Sequence, residues 1–309
     1  MYNQFGDESV LELVEKAVPG IEKDQLLIRV KAVSINPLDW KVYGGEMKLM
    51  SGSKFPKSVG IDFSGVVEQT GSAVTRFTAG DAVIGLLDVF KGGALAEYIA
   101  VKETDIAPKP ATISFEQAAA LPVTGLSTLQ IIDQLAAVGP NQDVLINGAT
   151  GGIGIFAVQI AKKRGARVTA VVSTKGVAEA KKWGADTVVD YTKQPIKLLN
   201  QKFDAVIDLS TKLSFNEAKS LMKQKAVFVS TLPSPLALIA SFINNVFSGQ
   251  KHKILIVKPT NEGLNTLSRL AEADLQIVLD KTYSLSNVRQ AYQEAQRGNI
   301  IGKSVIVLD

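Results

Sequence analysis

Apolar positions between residues 144 and 175 change their period twice. Residues 144–146 form a short continuous apolar run. Ile153, Phe156, Ala157 and Ile160 then recur at i, i+3, i+4 and i+7, and residues 167–172 return to an extended run. This reads as strand, amphipathic helix, strand, the opening of a βαβ unit. Lys162, Lys163 and Arg164 fill the last helical turn, where positive charge suits the helix dipole, and Gly165 ends it. Before this unit, residues 1–118 alternate as strands, at 26–33, 58–70, 81–86 and 94–101, punctuated by many glycines. That pattern predicts a compact, partly barrel-shaped β domain. From 114 the style changes. Ser114 with Glu116 and Gln117 starts a helix that Pro122 breaks, and a second helix covers about 125–137. Beyond the βαβ opening come a helix at 176–183, strands at 187–189 and 205–209, a helix at 214–222, and strands at 227–231 and 254–257. This predicts a doubly wound parallel sheet. The tail, with helices at 261–273 and 286–297 and strands at 276–279 and 303–308, is surplus to a six-stranded sheet and is expected to return to the first domain. The fold class is therefore α/β, with domains at 1–118, 119–258 and a returning 259–309.

Composition narrows the chemistry. The 309 residues are 46% hydrophobic with a net charge of +4, and the lysines read as scattered, so no nucleic-acid surface is expected. There is no cysteine and a single histidine, His252. That excludes disulfides and any zinc site built on cysteine or several histidines, and it argues against a Ser-His-Asp triad. His252, between Lys251 and Lys253, is expected to be a surface residue. The first ten residues lack the apolar core of a secretory signal, which predicts a cytoplasmic location. Residues 236–247 are apolar but too short to cross a bilayer, and are expected to form a buried or lid helix, with peripheral membrane contact as the alternative.

Three segments carry candidate chemistry. Gly148, Gly151 and Gly154 sit between the strand and the helix, and the turn Gly148, Ala149, Thr150, Gly151, Gly152, Ile153, Gly154 reads as G-x-x-G-x-x-G rather than G-x-G-x-x-G. A turn without side chains lets backbone N–H groups and a helix N-terminus approach a pyrophosphate, so a dinucleotide is expected here. Where NAD sites carry an acidic residue on the next strand, this chain has Ser173, Thr174 and Lys175. Two hydroxyls and a cation favour NADP(H) over NAD(H), unless they are only a polar strand end. Tyr191 is placed to close over the adenosine. Asn36 before Pro37 is restricted to extended conformation, and from spacing alone is only a turn.

The segments SINPLDW, VGIDFSGVVEQTG, AGDAVIG, GGALAEYIAV, AAALPVTGLSTLQ, NGATGGIGIFAVQIAKKRGA, GADTVVDY, FDAVIDL and GKSVIVL occur in the order in which the zinc-independent quinone oxidoreductases of the medium-chain dehydrogenase/reductase superfamily carry them. The chain resembles that family along nearly its whole length. The resemblance implies a GroES-like domain beside a Rossmann domain, with NADPH as cofactor and hydride transfer to a quinone or other α,β-unsaturated carbonyl. Alternatives are an alkenal or enoyl double-bond reductase and a non-enzymatic NADPH-binding regulatory protein. The places of the zinc ligands in metal-dependent relatives read Ser34-Ile35-Asn36 and Gly60-Ile61-Asp62. The resemblance further places Asn36 beside the nicotinamide, with Asp39, Trp40, Lys41 and Tyr43 lining the acceptor pocket and Tyr43 a conceivable proton donor. Ser127, with Thr124 as the alternative, faces the nicotinamide amide. Ser173, Lys175 and Tyr191 contact the 2′-phosphate, and Leu209, Ser210 and Leu232 flank the nicotinamide ribose. A homodimer joined edge to edge through the nucleotide sheet is implied. The chain departs from the family pattern in two places, a first strand that is shortened or absent and a stretch at 233–252 expected to form a different lid, and both bear on acceptor choice more than on hydride donation.

Overall fold

A computed structural model describes residues 1–231, 234–298 and 300–308. Two compact units emerge, Met1–Val123 with Pro259–Asp309, and Thr124–Lys258.

The first unit opens with β1 (Gln25–Ser34), β2 (Asp62–Thr70), β3 (Ala82–Leu86), β4 (Tyr98–Lys102) and β5 (Ile106–Pro108). β1 is the spine. One edge pairs with β2 along almost its whole length, while its first half pairs with β4 on the other. Register shifts at Leu27/Ile28 and Val30/Ala32 bend it, as bulges do. The strands expected at 58–70 and 94–101 start only at Asp62 and Tyr98, because Gly60, Gly92 and Gly93 hold φ of +84°, +63° and +119° and turn the chain away from the ladder. The N-terminal segment contributes one isolated bridge, Tyr2 to Lys57, in place of a full first strand.

In the second unit, β6 (Asp143–Asn147), β7 (Arg167–Val172), β8 (Thr187–Asp190), β9 (Phe203–Asp208), β10 (Met222–Ser230) and β11 (Lys251–Ile254) lie in the order β11-β10-β9-β6-β7-β8. All their pairings are parallel. Strand order reverses between β6 and β9. The helix capped by Ser114 ends at Ala119, before Pro122 as expected, but the second helix starts earlier than 125: Pro122 itself opens Pro122–Leu129, which continues as a wider π turn over Gln130–Leu135, since a proline in the first turn costs no hydrogen bond. The helix expected at 214–222 runs over Phe215–Ala218 and tightens into a 3-10 turn at Lys219–Leu221, immediately before β10 begins at Met222. β11 lies three residues before the apolar run at 254–257, set by its register of Val227 to Lys251 and Ser230 to Ile254.

The edge of this sheet is covered. Helix Pro235–Phe247 lies against β11, and Asn245 Oδ1 accepts from His252 N (2.7 Å) while Asn245 Nδ2 and Ser241 Oγ donate to His252 O (2.7 and 2.6 Å). Both outward backbone groups of His252 are thus engaged. Backbone pairing of β11 with a second copy, implied by the resemblance, is blocked there. His252 is also not the surface residue expected: its ring stacks on Phe215 at 5.1 Å and bonds Ser230 Oγ (3.0 Å), and burial pushes its pKa down.

The tail, with β12 (Leu279–Ser284) and β13 (Lys303–Val307), completes the first unit's sheet in the order β12-β13-β1-β2-β3-β5. β13 takes the last three residues of β1, on the edge whose first half holds β4. Leu26, Ile28, Val30, Phe63, Val83 and Ile106 form the core of this sheet. A second cluster joins Tyr2, Tyr43, Val288, Tyr292 and Ile306. Full burial of each such side chain contributes roughly 1.5–3 kcal/mol. Among the described residues, no helix is long and apolar enough to cross a membrane.

Candidate active site

In open parallel sheets, ligands bind outside the carboxyl ends of the strands where strand order reverses. β6 and β9 meet there, and the turns that follow them touch. Gly148 holds φ +83°, and a Cβ on it would lie 3.1 Å from Ser210 N, so only glycine lets these two turns approach. Asn147 Nδ2 donates to Asp208 Oδ1 and Ser210 Oγ (2.8 Å each), and Ser210 Oγ donates to Asp208 Oδ1 (2.7 Å). Thr211 holds φ +62°, a conformation few non-glycine residues adopt. Asn147 and Asp208 end β6 and β9, and the sequence pattern singled out neither.

Gly154 crosses the start of the same turn so closely that a Cβ would sit 2.3 Å from Gly148 O and 2.7 Å from Ala149 Cα. Gly151 caps helix Gly152–Lys163 without a side-chain hydrogen bond. Its first-turn N–H groups and positive dipole end suit an anion. Ile153 is tied in by Thr128, whose hydroxyl donates to Thr124 O (2.8 Å) and Ile153 O (3.2 Å). Thr128 thereby fixes the helix bearing Thr124 and Ser127, both buried, against the glycine turn. The residues fit a dinucleotide.

The turn after β7 adjoins the loop, since a Cβ on Gly176 would meet the Thr150 methyl at 2.5 Å. Ser173 caps the short turn Thr174–Gly176, Lys175 is exposed, and Tyr191 is 48% exposed. Thr174 departs from expectation. Its hydroxyl donates to Asp190 Oδ2 (2.7 Å) and contacts Thr192 Oγ1 (3.0 Å), so it is committed to a carboxylate rather than open to a phosphate. Hydrogen bonds from Thr174 and Thr192 hold Asp190 down to about 2. Leu232 lies outside the described residues.

The first unit contains a buried polar cluster around Asn36. Asn36 Nδ2 donates to Asp62 Oδ2 (3.0 Å) and Ser34 O (3.2 Å), and Asn36 Oδ1 accepts from Lys303 Nζ (2.5 Å), which also donates to Ile35 O (2.6 Å). Ser34 Oγ and Val123 N complete the Asp62 carboxylate at 2.7 and 2.9 Å. Asp39 caps the backbone of Asn36, accepting from its N–H (2.9 Å) and from Tyr292 OH (3.1 Å). Asn36, Asp39, Asp62 and Lys303 are all buried. Burial, reinforced by Asp62, pushes the Asp39 carboxyl up to about 7. Burial also raises Asp62 and lowers Lys303. Beside Asp39 a cavity of about 10 Å³, bordered by Tyr2, Gly60 and Ile61, has room for about one water. Asn36 and the place of Asp62 were marked by resemblance, whereas Lys303 and Tyr292 were not.

Tyr43 is a correction. It is 1% exposed, its ring lies 5.6 Å from that of Tyr292, and its hydroxyl accepts from Gln296 Nε2 (2.9 Å). Burial pushes its pKa up, so it packs as core and is unsuited to donate a proton.

Residues 22–111 match the alcohol dehydrogenase GroES-like domain, and residues 183–306 the zinc-binding dehydrogenase family. A chloroplastic quinone-oxidoreductase homolog of Spinacia oleracea is 32% identical, over 97% of this chain and 95% of its own. The mitochondrial NAD(P)H oxidoreductase RTN4IP1 of Bos taurus is 28% identical, over 98% and 87%. The solved structure of the quinone oxidoreductase from Coxiella burnetii superimposes with a TM-score of 0.90 at 31% identity, covering 100% of this chain and 98% of that one. Zinc does not fit the residues present in the first unit. The donors there are an amide, a hydroxyl and carboxylates already bonded to one another, with the Lys303 ammonium among them.

Proposed function

Because the chain belongs to the quinone oxidoreductase branch of the medium-chain dehydrogenase/reductase superfamily, we propose that it is an NADPH-dependent reductase of quinones or related α,β-unsaturated carbonyls. The observation that carries this reading is the glycine turn at the reversal of strand order, where Gly148 and Gly154 leave no room for a side chain. NADPH rather than NADH is supported by Ser173, the exposed Lys175 and Tyr191. Thr124, Ser127, Leu209 and Ser210 are assigned to the nicotinamide half, and Gly148, Ala149, Thr150, Gly151, Gly152, Ile153 and Gly154 to the pyrophosphate.

When bound, the nicotinamide supplies the hydride. The chain's own residues orient it and manage charge. The Asn36 amide is held on both sides, by Asp62 and by Lys303. In this reading its two amide hydrogens are committed to Asp62 and Ser34, and the Lys303 ammonium, with two of its three hydrogens given to Asn36 Oδ1 and Ile35 O, is the group that favours negative charge growing on the acceptor oxygen. An acceptor that is already electrophilic needs no Lewis acid. Asp39, raised to about 7 and bonded to the Asn36 backbone, is a proton reservoir near neutral pH.

The test is a panel of quinones, enones and alkenals mixed with the protein and NADPH, following loss of reduced-nicotinamide absorbance and identifying products. Turnover of quinones is expected, with NADPH preferred at least tenfold over NADH. No turnover with any acceptor, despite tight NADPH binding, would overturn the proposal in favour of a binding protein.

A further inference from the structure

Helix Pro235–Phe247 is turned inside out. Its polar residues face its own sheet: Ser241 and Asn245 bond the backbone of His252, and Asn244 Nδ2 donates to Gln250 O (3.0 Å). Its apolar residues Leu236, Ile239, Phe242, Ile243, Val246 and Phe247 stand in solvent, with Leu236, Phe242 and Phe247 72–86% exposed. They recur at three- and four-residue spacing and so form one stripe. Isolated exposed apolar residues are ordinary, but a contiguous stripe this long marks a docking surface.

Charge identifies what docks. The lysines read as scattered along the chain, yet residues 218–261 contain Lys219, Lys223, Lys225, Lys251, Lys253 and Lys258 and not one acidic residue. The fold gathers five of the six around the C-terminal end of the helix and the cavity beside it. Lys251 Nζ donates to Asn245 O (2.7 Å) and Ser248 O (2.8 Å), the last carbonyls of the helix. Gln250 Nε2 ties that end to the backbone of Lys219 and Lys223 (3.3 Å each). Lys223, Lys225, Lys251 and Lys253 line a cavity of about 390 Å³, where Asp204 is the acidic wall residue; Lys223 is paired with it (2.7 Å) and with Asp143 (2.8 Å), which leaves the other three lysines to face an anion.

We propose that this helix docks the protein in-plane on an anionic lipid bilayer, its apolar stripe in the interface and the lysine cavity on a headgroup phosphate. A second copy of the chain fits less well, because two such faces would bring their lysines together. A nucleic acid would leave the apolar stripe uncovered. An interfacial helix needs both signals, apolar area and cations for anionic headgroups, and both occur here on one unit. Each lysine near an anionic leaflet is worth roughly a fivefold change in partition.

The experiment is co-sedimentation of the full chain with phosphatidylcholine vesicles, with and without about one quarter phosphatidylglycerol, at low salt and at ~0.5 M salt. Binding to the anionic vesicles should exceed binding to the neutral ones at least tenfold and should weaken in salt. The double variant F242S/F247S and the double variant K225E/K253E should each lose at least tenfold while melting and NADPH binding stay unchanged. Absence of binding to anionic vesicles at low salt would overturn the proposal, as would undiminished binding by F242S/F247S. It would fall equally if light scattering found a dimer that F242S/F247S dissociates, or if the chain bound an oligonucleotide and not the vesicles. None of these outcomes depends on which acceptor is reduced.

Discussion

Asp39→Asn should flatten the pH dependence of stability between about pH 4 and pH 7. The Asp39 carboxyl is moved from its ordinary 3.8 to about 7, first by burial and further by the Asp62 carboxylate, against the pull of the Asn36 N–H, Lys303 and Tyr292. The folded protein therefore keeps this proton up to about pH 7, while the unfolded chain releases it near pH 4. Between those values the folded state binds more protons, so its stability falls as pH rises. At 1.36 kcal/mol per unit the loss accumulates to about 4 kcal/mol. Asparagine keeps an oxygen for the Asn36 N–H and the Tyr292 hydroxyl, now at 2.9 and 3.1 Å, but carries no ionisation. Coupling works in the same direction, since removing the Asp39 charge also relieves Asp62, itself raised by burial. Urea titrations of both proteins from about pH 4 to about pH 8 are the assay. With a urea dependence near 3 kcal/mol per M, the midpoints should agree at the acid end and differ by ~1 M at the alkaline end, the variant being the more stable. Parallel midpoint curves for the two proteins would show that Asp39 does not titrate in this range, and would remove the proton reservoir from the proposed chemistry.

Other substitutions test the remaining assignments. Gly154→Ala places a methyl 2.3 Å from a backbone oxygen that cannot rotate away, so NADPH affinity measured by fluorescence titration should fall at least tenfold and stability by about 1–3 kcal/mol. Lys175→Ala should weaken NADPH about tenfold or more and leave NADH unchanged, the size of one charge-assisted hydrogen bond; equal loss for both cofactors would place Lys175 elsewhere. Tyr43→Phe removes only the bond to Gln296, so it should cost about 1 kcal/mol, lowering Tm by ~2–4 °C, while kcat stays within twofold. A tenfold drop in kcat would restore Tyr43 as a proton donor.

The nucleotide unit was legible because its signals are short-range. A strand, a three-residue glycine spacing and a helix of period 3.6 lie within thirty-two residues, and β6, β7 and the helix between them fall within one or two residues of where the pattern puts them. Strand ends were less legible where pairing outlasts apolarity. β10 begins at Met222, and Lys223, Gln224 and Lys225 follow it in extended conformation although nothing apolar marks them. β11, Lys-His-Lys-Ile, reads as exposed chain and becomes a strand only because β10 offers it a parallel ladder. Lys223, Gln224 and Lys225 lie in the irregular stretch between the pairs Met222–Phe203 and Val227–Ala205, whereas in β11 a partner strand outweighs local propensity, which is a weak and context-dependent preference in sheets.

The two candidate clusters, one in each unit, differ in the same way. The glycine turn needs no partner from far away to be recognised, whereas the Asn36 cluster is assembled from contacts 253 and 267 residues apart, Tyr292 with Asp39 and Lys303 with Asn36. No periodicity carries such a pair. Helix Pro235–Phe247 shows what that non-local term can do to a pattern that is itself correctly read. Its apolar stripe was visible, and the natural inference put that stripe inward. The edge of β11 reverses it: an open strand edge is a template for pairing, and the outward N–H and C=O of His252 need partners. Ser241 and Asn245 are the helix residues able to supply them, and turning those two inward forces Phe242 and Val246, their sequence neighbours, outward. Capping the edge is thus what creates the exposed stripe, and the same substitution cannot improve both. Asn245→Leu would make the inner face apolar at the cost of His252's partners, so a stripe that costs solubility persists where a surface such as an anionic bilayer is available to cover it.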